Sequence, residues 1–189
     1  MSTLSAEKNS SVFAENKKIR LRDRALTDLN DYILWNTLLT EWQNWDAPWE
    51  KRDFDEKLFC DNFTPSISNN TDQIRKRAEF DAVIDGNFKH IGWLGSYLTG
   101  ENKDLTAIGI DIPDPSLRGK GFGAAAFSMW IEYLMNSNNL EKIYFETWSG
   151  NIRMIELGKK LGFTEDFRVA GLRVVNGGIY DKVRFVKNR

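Results

Sequence analysis

The stretch PDPSLRGKGFGAAAF, residues 113 to 127, sets Gly119, Gly121 and Gly123 at alternate positions directly ahead of an alanine-rich segment with a helical pattern. Glycines at a helix start leave backbone N–H groups unshielded, in the geometry that receives phosphate. Three phosphate-binding patterns compete for residues 118 to 124. A P-loop needs Lys and then Ser or Thr after its last glycine, whereas Lys120 precedes Gly121, so that pattern is excluded. Gly119, Gly121 and Ala124 do satisfy the G-x-G-x-x-A of a dinucleotide fingerprint. In that fold, however, the first glycine closes the turn at the strand end, while PDPSLR intervenes here, and the downstream chain is too short for a second half. The third pattern depends on the elements around it.

Those elements can be read from periodicity. KKIRLRD alternates Ile19 and Leu21 with basic residues, the period of a half-buried strand. From Ala25, Leu26, Leu29, Ile33, Leu34, Leu38 and Leu39 recur at helical spacing and predict a helix, with Thr27 and Asp28 supporting its first turn. Pro48 interrupts that pattern, a second short helix follows in DFDEKLFCDNF, and TPSISNNTDQ reads as a polar loop. AEFDAVIDGNFKHIGWLGSYLTG predicts two strands joined at Asp85-Gly86-Asn87, with LTAIGIDI as a third. Behind the glycines, Phe122, Ala126, Met129, Trp130 and Tyr133 fall on one helical face. KIYFETW is a further strand, NIRMIELGKKLGF a helix with Ile152, Ile155 and Leu161 inward, and FRVAGLRVVNGGIYDKVRF a hairpin turned at Asn176-Gly177.

Within that order, RGKGFG (Arg118 to Gly123) resembles the R/Q-x-x-G-x-G/A pyrophosphate motif of the GNAT family of acyl-CoA N-acetyltransferases. NIRMIELGKKLGF is similar to the family's next motif, an Asn opening a helix that ends in Leu-Gly-Phe, and VVNGGIYDKVRF is similar to the terminal hairpin of the branch with ribosomal-protein N-terminal acetyltransferases and spermidine acetyltransferases. The resemblance covers roughly residues 17 to 187. It implies one α/β (α+β) domain over residues 18 to 189, with a mixed, mostly antiparallel central sheet of about seven strands flanked by four helices, behind a polar tail at residues 1 to 17. It also implies acetyl-CoA as co-substrate and a primary amine as acceptor: a small amine, polyamine, amino acid or protein N-terminus.

By the same resemblance, the amides of Arg118, Gly119, Lys120, Gly121, Phe122 and Gly123 hold the pyrophosphate. Backbone groups of Ile110 and Ile112 hold the pantetheine arm, and Asn151 contacts it from the far side. Transfer to an amine needs a base, because an alkyl ammonium has a reference pKa of about 10.4. Asp111, Glu146 and Asp46 are candidates, with Asp111 preferred because its strand flanks the thioester; the alternative is a solvated strand-end carboxylate. Oxyanion stabilisation falls to a strand amide near Ile110 or Asp111. Many family members place a Tyr seven residues after the helix Asn as general acid, whereas that position is Gly158 here. Tyr180 is the substitute candidate, against its reading as a hairpin aromatic packed on the sheet. Trp35, Trp42, Trp45 and Trp49 cluster where the resemblance puts the acceptor. Trp45 and Trp49 beside Asp46 and Glu50 would suit a cationic amine, although each Trp could equally anchor a core corner.

Composition narrows the function classes. Lys plus Arg number 26 against 27 Asp plus Glu, so no global charge points to nucleic acid or an anionic membrane. One cysteine, Cys60, forms no internal disulfide, and the lone His90 has no partner histidine for a metal cluster, so no metal is expected. No apolar run is long enough to span a bilayer, and a reducing cytoplasm fits best. The edge strands and terminal hairpin could pair two copies as a homodimer. A non-catalytic acyl-CoA-binding module, suggested by Gly158, is the alternative function.

Overall fold

A computed structural model describes residues 11–50, 53–64 and 74–189. Eight strands form one sheet in the order β1-β2-β3-β4-β5-β6-β8-β7. They are β1 (Val12–Glu15), β2 (Ile19–Arg22), β3 (Arg77–Ile84), β4 (Asn87–Thr99), β5 (Leu105–Asp111), β6 (Lys142–Trp148), β7 (Thr164–Val175) and β8 (Gly178–Asn188). Four helices flank them: α1 (Leu29–Thr37), α2 (Glu56–Asn62), α3 (Phe122–Ser137) and α4 (Ile152–Lys160). All neighbouring strands are antiparallel except β5 and β6, which run parallel. The eighth strand is β1, inside the segment read as polar tail; it pairs with β2 through Ala14 and Leu21 and through Glu15 and Arg20. Residues 1–10 of that tail, and 65–73 of the TPSISNNTDQ loop, lie outside the described residues.

Both predicted tight turns form. Asp85 and Gly86 have φ of 52° and 80°, and Asn176 and Gly177 have 49° and 80°, the paired positive values of a type I′ hairpin.

Alternation along the strands gives the sheet two unlike faces. On one face Ile19, Leu21, Leu94, Ile108, Ile143 and Phe145 pack against Ala126, Phe127, Trp130 and Leu134 of α3 in the main core. Each fully buried large side chain there contributes roughly 1.5–3 kcal/mol. The inward face of α3 is wider than Phe122, Ala126, Met129, Trp130 and Tyr133: it also carries Phe127, Ile131, Leu134 and Met135, because the helix lies flat across several strands. On α4 the predicted Ile152 is exposed, while Met154, Leu157 and the buried Gly158 turn inward with Ile155.

The other sheet face is polar and aromatic, and only part of the leucine set meets it, with Leu29 and Leu39 packing there. Leu26, Leu34 and Leu38 are exposed, whereas Tyr32 and Trp35 are buried. Tyr32 donates to the Glu79 carboxylate at 2.6 Å, and its ring packs 5.5 Å from Trp93 and 5.3 Å from Trp35. A leucine stripe could satisfy neither Glu79 nor His90, so the helix turns its aromatic stripe inward. Nearby, both oxygens of Asp28 accept from Arg22 at 2.8 Å, and the Arg22 Nε donates to Asp81 at 3.0 Å. Asp28, Asp31 and His90 bring ligand atoms within 4.8 Å of one another, a metal-sized grouping that the lone histidine of the sequence did not suggest; Arg22 already holds the Asp28 carboxylate. No helix among the described residues is long and apolar enough to cross a membrane.

Candidate active site

β5 and β6 pair through Ala107 and Tyr144, and towards their C-terminal ends a cleft of about 920 Å³ opens between them. Ile108, Gly109, Ile110 and Asp111 line one side, and Glu146, Thr147 and Trp148 the other.

The glycine loop closes one end. Gly119 and Gly121 adopt φ of 74° and 85°, a backbone that residues with a Cβ rarely take, and nothing stands within 4 Å of where a Cβ would be. Gly121 is the N-cap of α3 and no side chain caps the helix, so its first amides point unshielded at the cleft mouth. The open loop, the helix terminus and the cleft behind them fit a pyrophosphate with an extended arm. The Arg118 side chain instead braces the loop from behind. Its guanidinium donates to the carbonyls of Ile112 at 2.7 Å and Pro113 at 2.9 Å and pairs with Glu41.

Strand parity decides which face of the sheet each of these groups takes. Ile110 and Ile112 reach back towards Gly123 of α3. Asp111 therefore lies on the opposite face, opposite Trp93 in register, and lines the cleft with Glu146 and Asp46. The Glu146 carboxylate sits 3.0 Å from Lys182 Nζ.

The segment after α1 forms the outer wall. Trp35 and Trp42 are buried in the aromatic core, the Trp42 indole donating to the Trp35 carbonyl at 2.8 Å. Trp42 also borders the cleft, together with Trp45 and Trp49, and each of the last two lies under a guanidinium: Arg153 is 4.3 Å from the Trp45 centroid and Arg173 4.3 Å from that of Trp49. Glu41 fastens this wall, accepting from the Trp45 indole at 2.7 Å while pairing with Arg118 and, at 3.5 Å, Arg153. Desolvation works to raise its pKa, but the hydrogen bonds from Trp45 and Arg118 outweigh it and hold Glu41 below the ordinary carboxylate range. Asn151 caps α4 by accepting from the Met154 amide at 3.1 Å, and its Nδ2 donates to the Trp45 carbonyl at 3.1 Å. The Trp148 indole donates to that same carbonyl at 3.1 Å.

Of the residues singled out from sequence, Asp111, Glu146, Asp46, Trp45, Trp49, Ile110, Ile112, Arg118, Gly119, Gly121, Gly123 and Asn151 all line this one cleft. Lys120 and Phe122 flank its glycine loop without lining it. Tyr180 stands outside the lining, its ring edge-on to Trp148 at 4.8 Å. Tyr97, which sequence reasoning missed, does line the cleft. Desolvation of its hydroxyl, then the charges of Glu146 and Asp46, raise its pKa against a backbone hydrogen bond from Glu146, so the phenol stays protonated at neutral pH. Arg173 and Lys182, from the terminal hairpin, are two further lining residues that sequence reasoning missed.

The family model for the acetyltransferase (GNAT) domain matches residues 18–164. No curated protein matches the sequence. Among solved structures, the chain is similar to a spermidine N-acetyltransferase from Vibrio cholerae in complex with CoA and spermine, with a TM-score of 0.69 and 20% identity over 92% of this chain and 96% of that one. It is similar to the microcin C7 self-immunity acetyltransferase MccE in complex with acetyl-CoA and AMP, with a TM-score of 0.68 and 18% identity over 92% and 94%. A ribosomal-protein-alanine N-acetyltransferase from Brucella melitensis gives a TM-score of 0.63 and 18% identity over 89% and 99%.

Proposed function

We propose that this chain, a member of the GNAT acetyltransferase family, uses acetyl-CoA to acetylate a primary amine entering between the Trp45–Glu50 segment and the β7–β8 hairpin. The observation that carries this reading is one continuous cleft. It runs from the uncapped start of α3 to carboxylates and indoles on a single face of the sheet.

Acetyl-CoA, when bound, supplies the acetyl group as a thioester. In our reading the amides of residues 118 to 123 hold its pyrophosphate, and the Ile110 and Ile112 backbone holds its arm. Asn151 acts by fixing Trp45 as well as by facing the cleft, since both ends of its amide are engaged. Asp111 takes the ammonium proton, with Glu146 and Asp46 beside it favouring the cation's approach. For the departing thiolate we assign the proton to Tyr97 in place of Tyr180, because Tyr97 stands in the cleft with its phenol protonated. A free thiol has a pKa near 8.5, so this donor assists the step without being obligatory.

The test is release of free thiol from acetyl-CoA with pools of polyamines, amino acids and peptides, alongside thermal stabilisation by acetyl-CoA, CoA and NAD. Stabilisation by acetyl-CoA together with release on some amine is the expected result. Stabilisation with no release from any pool would instead indicate a non-catalytic acyl-CoA-binding module, and protection by NAD alone would overturn the assignment of the glycine loop.

A further inference from the structure

Most cations of the cleft are already paired. Arg118 and Arg153 share Glu41, and Lys182 sits on Glu146. Lys160, at the far end of α4, is exposed to water. Arg173 differs from all of these. It projects from β7 opposite Tyr180, lines the cleft, and lays its guanidinium over the Trp49 ring. Its Nε is buried and has no hydrogen-bond partner, and among the described residues it has no ion-pair partner. A buried charged donor left unmatched is costly, and native folds keep one chiefly where something else will accept from it. Stacking on Trp49 fixes the plane of the guanidinium, so its fork is presented ready-oriented, the geometry that takes a carboxylate or phosphate through two parallel N–H bonds.

The same cleft is lined by Asp46, Glu50 and Asp111. The site therefore offers acidic groups for an ammonium and one poised guanidinium for an anion. A polyamine would use the first and meet like charge at the second. We infer that the acceptor is a primary amine that also carries an anionic group, a carboxylate or a phosphate, which Arg173 grips while the amine is directed to Asp111. This inference rests on the acetyl-transfer reading above.

The experiment compares matched acceptors with the full chain at saturating acetyl-CoA, following thiol release. The pairs are an α-amino acid against its methyl ester, and an aminoalkyl phosphate against the corresponding amino alcohol, with spermidine alongside. The expected result is that an anionic member exceeds its uncharged partner in kcat/KM by about 10- to 100-fold, and which pair shows the larger ratio tells carboxylate from phosphate. In Arg173→Gln that preference collapses towards unity, chiefly through KM, and Arg173→Lys recovers only part of it because a point charge cannot reproduce the fork. Preference of the native protein for spermidine or for the uncharged partners would overturn the proposal while leaving acetyl transfer standing, and this ranking needs no variant to fold. An equal loss on both members of a pair in Arg173→Gln would also overturn it. No release from any amine would instead remove the acetyl-transfer reading, and this inference with it.

Discussion

The ring of Phe145 occupies the volume that a side chain at Gly158 would need: a Cβ built on Gly158 would overlap the ring edge. Phe145 cannot readily yield, since it is fully buried, stacked on Phe185 at 4.8 Å and edge-on to Phe163 at 5.0 Å. The tyrosine that the family resemblance leads one to expect at this position is thus excluded by the Phe145 ring. Gly158→Ala should lower the melting temperature. Helix propensity favours it by about 1 kcal/mol, but overpacking against a locked ring costs about 1–3 kcal/mol. In a Phe145→Leu background the sign should reverse, and calorimetry on the four proteins of that cycle checks it. Gly158→Tyr alone should not raise turnover.

Replacing Gly121 with Val should abolish stabilisation by acetyl-CoA while the far-ultraviolet circular dichroism stays native. At φ of 85° a β-branched residue is strained, and relief of that strain would turn the first amides of α3 away from the cleft. There is open space around the position, so the effect comes from backbone conformation and not from a clash. Unchanged affinity in a binding titration would count against the loop as the pyrophosphate site.

How far these assignments were legible depended on how local their causes were. The two I′ turns could be read because Asp85-Gly86 and Asn176-Gly177 carry their own dihedral preference. The glycine loop was legible for the same reason. The orientation of α1 was not: its sequence holds both a leucine stripe and a Tyr32–Trp35 stripe, and the choice is made by Glu79, His90 and Trp93 on strands far along the chain. Asp111 could be named but not aimed until its register opposite Trp93 fixed its face. Tyr97 and Arg173 gave no signal, because a tyrosine or arginine in an alternating strand reads as a surface residue. Only the parting of β5 from β6 and the return of the β7–β8 hairpin make them cleft residues.

Asp111→Asn should slow turnover more at about pH 6.5 than at about pH 9, because a primary amine increasingly arrives deprotonated as pH nears its own pKa of about 10.4. A loss of about 100-fold or more at the lower pH is in the range of general-base catalysis. A uniform loss across the profile would mark Asp111 as structural. Tyr97→Phe should lower kcat about 10- to 100-fold with a smaller effect on the acceptor KM. Because the phenol is held above the usual tyrosine value, the native enzyme should show no loss of activity from this group below about pH 10.

His90 makes the stability of the fold pH-dependent well away from the cleft. Burial by itself would lower its pKa, but hydrogen bonds to Asp31 at 2.8 Å and Glu79 at 3.3 Å, with the Asp28 charge, more than offset this and raise it to about 9. A group whose folded pKa exceeds its unfolded value of about 6.5 contributes stability that is complete below that value and is lost as pH rises through about 9. Glu79 has the opposite sign. Desolvation opposes its ionisation, yet His90, Arg77 and Tyr32 together lower its pKa to about 2, so its contribution is present above about 4.5 and fades as pH falls towards 2. Urea denaturation should therefore give a stability maximum between about pH 4.5 and 6.5 with a decline from 6.5 to 9. In His90→Gln the alkaline decline should flatten, because the titrating proton is gone. An unchanged slope there would show that the decline belongs to other groups.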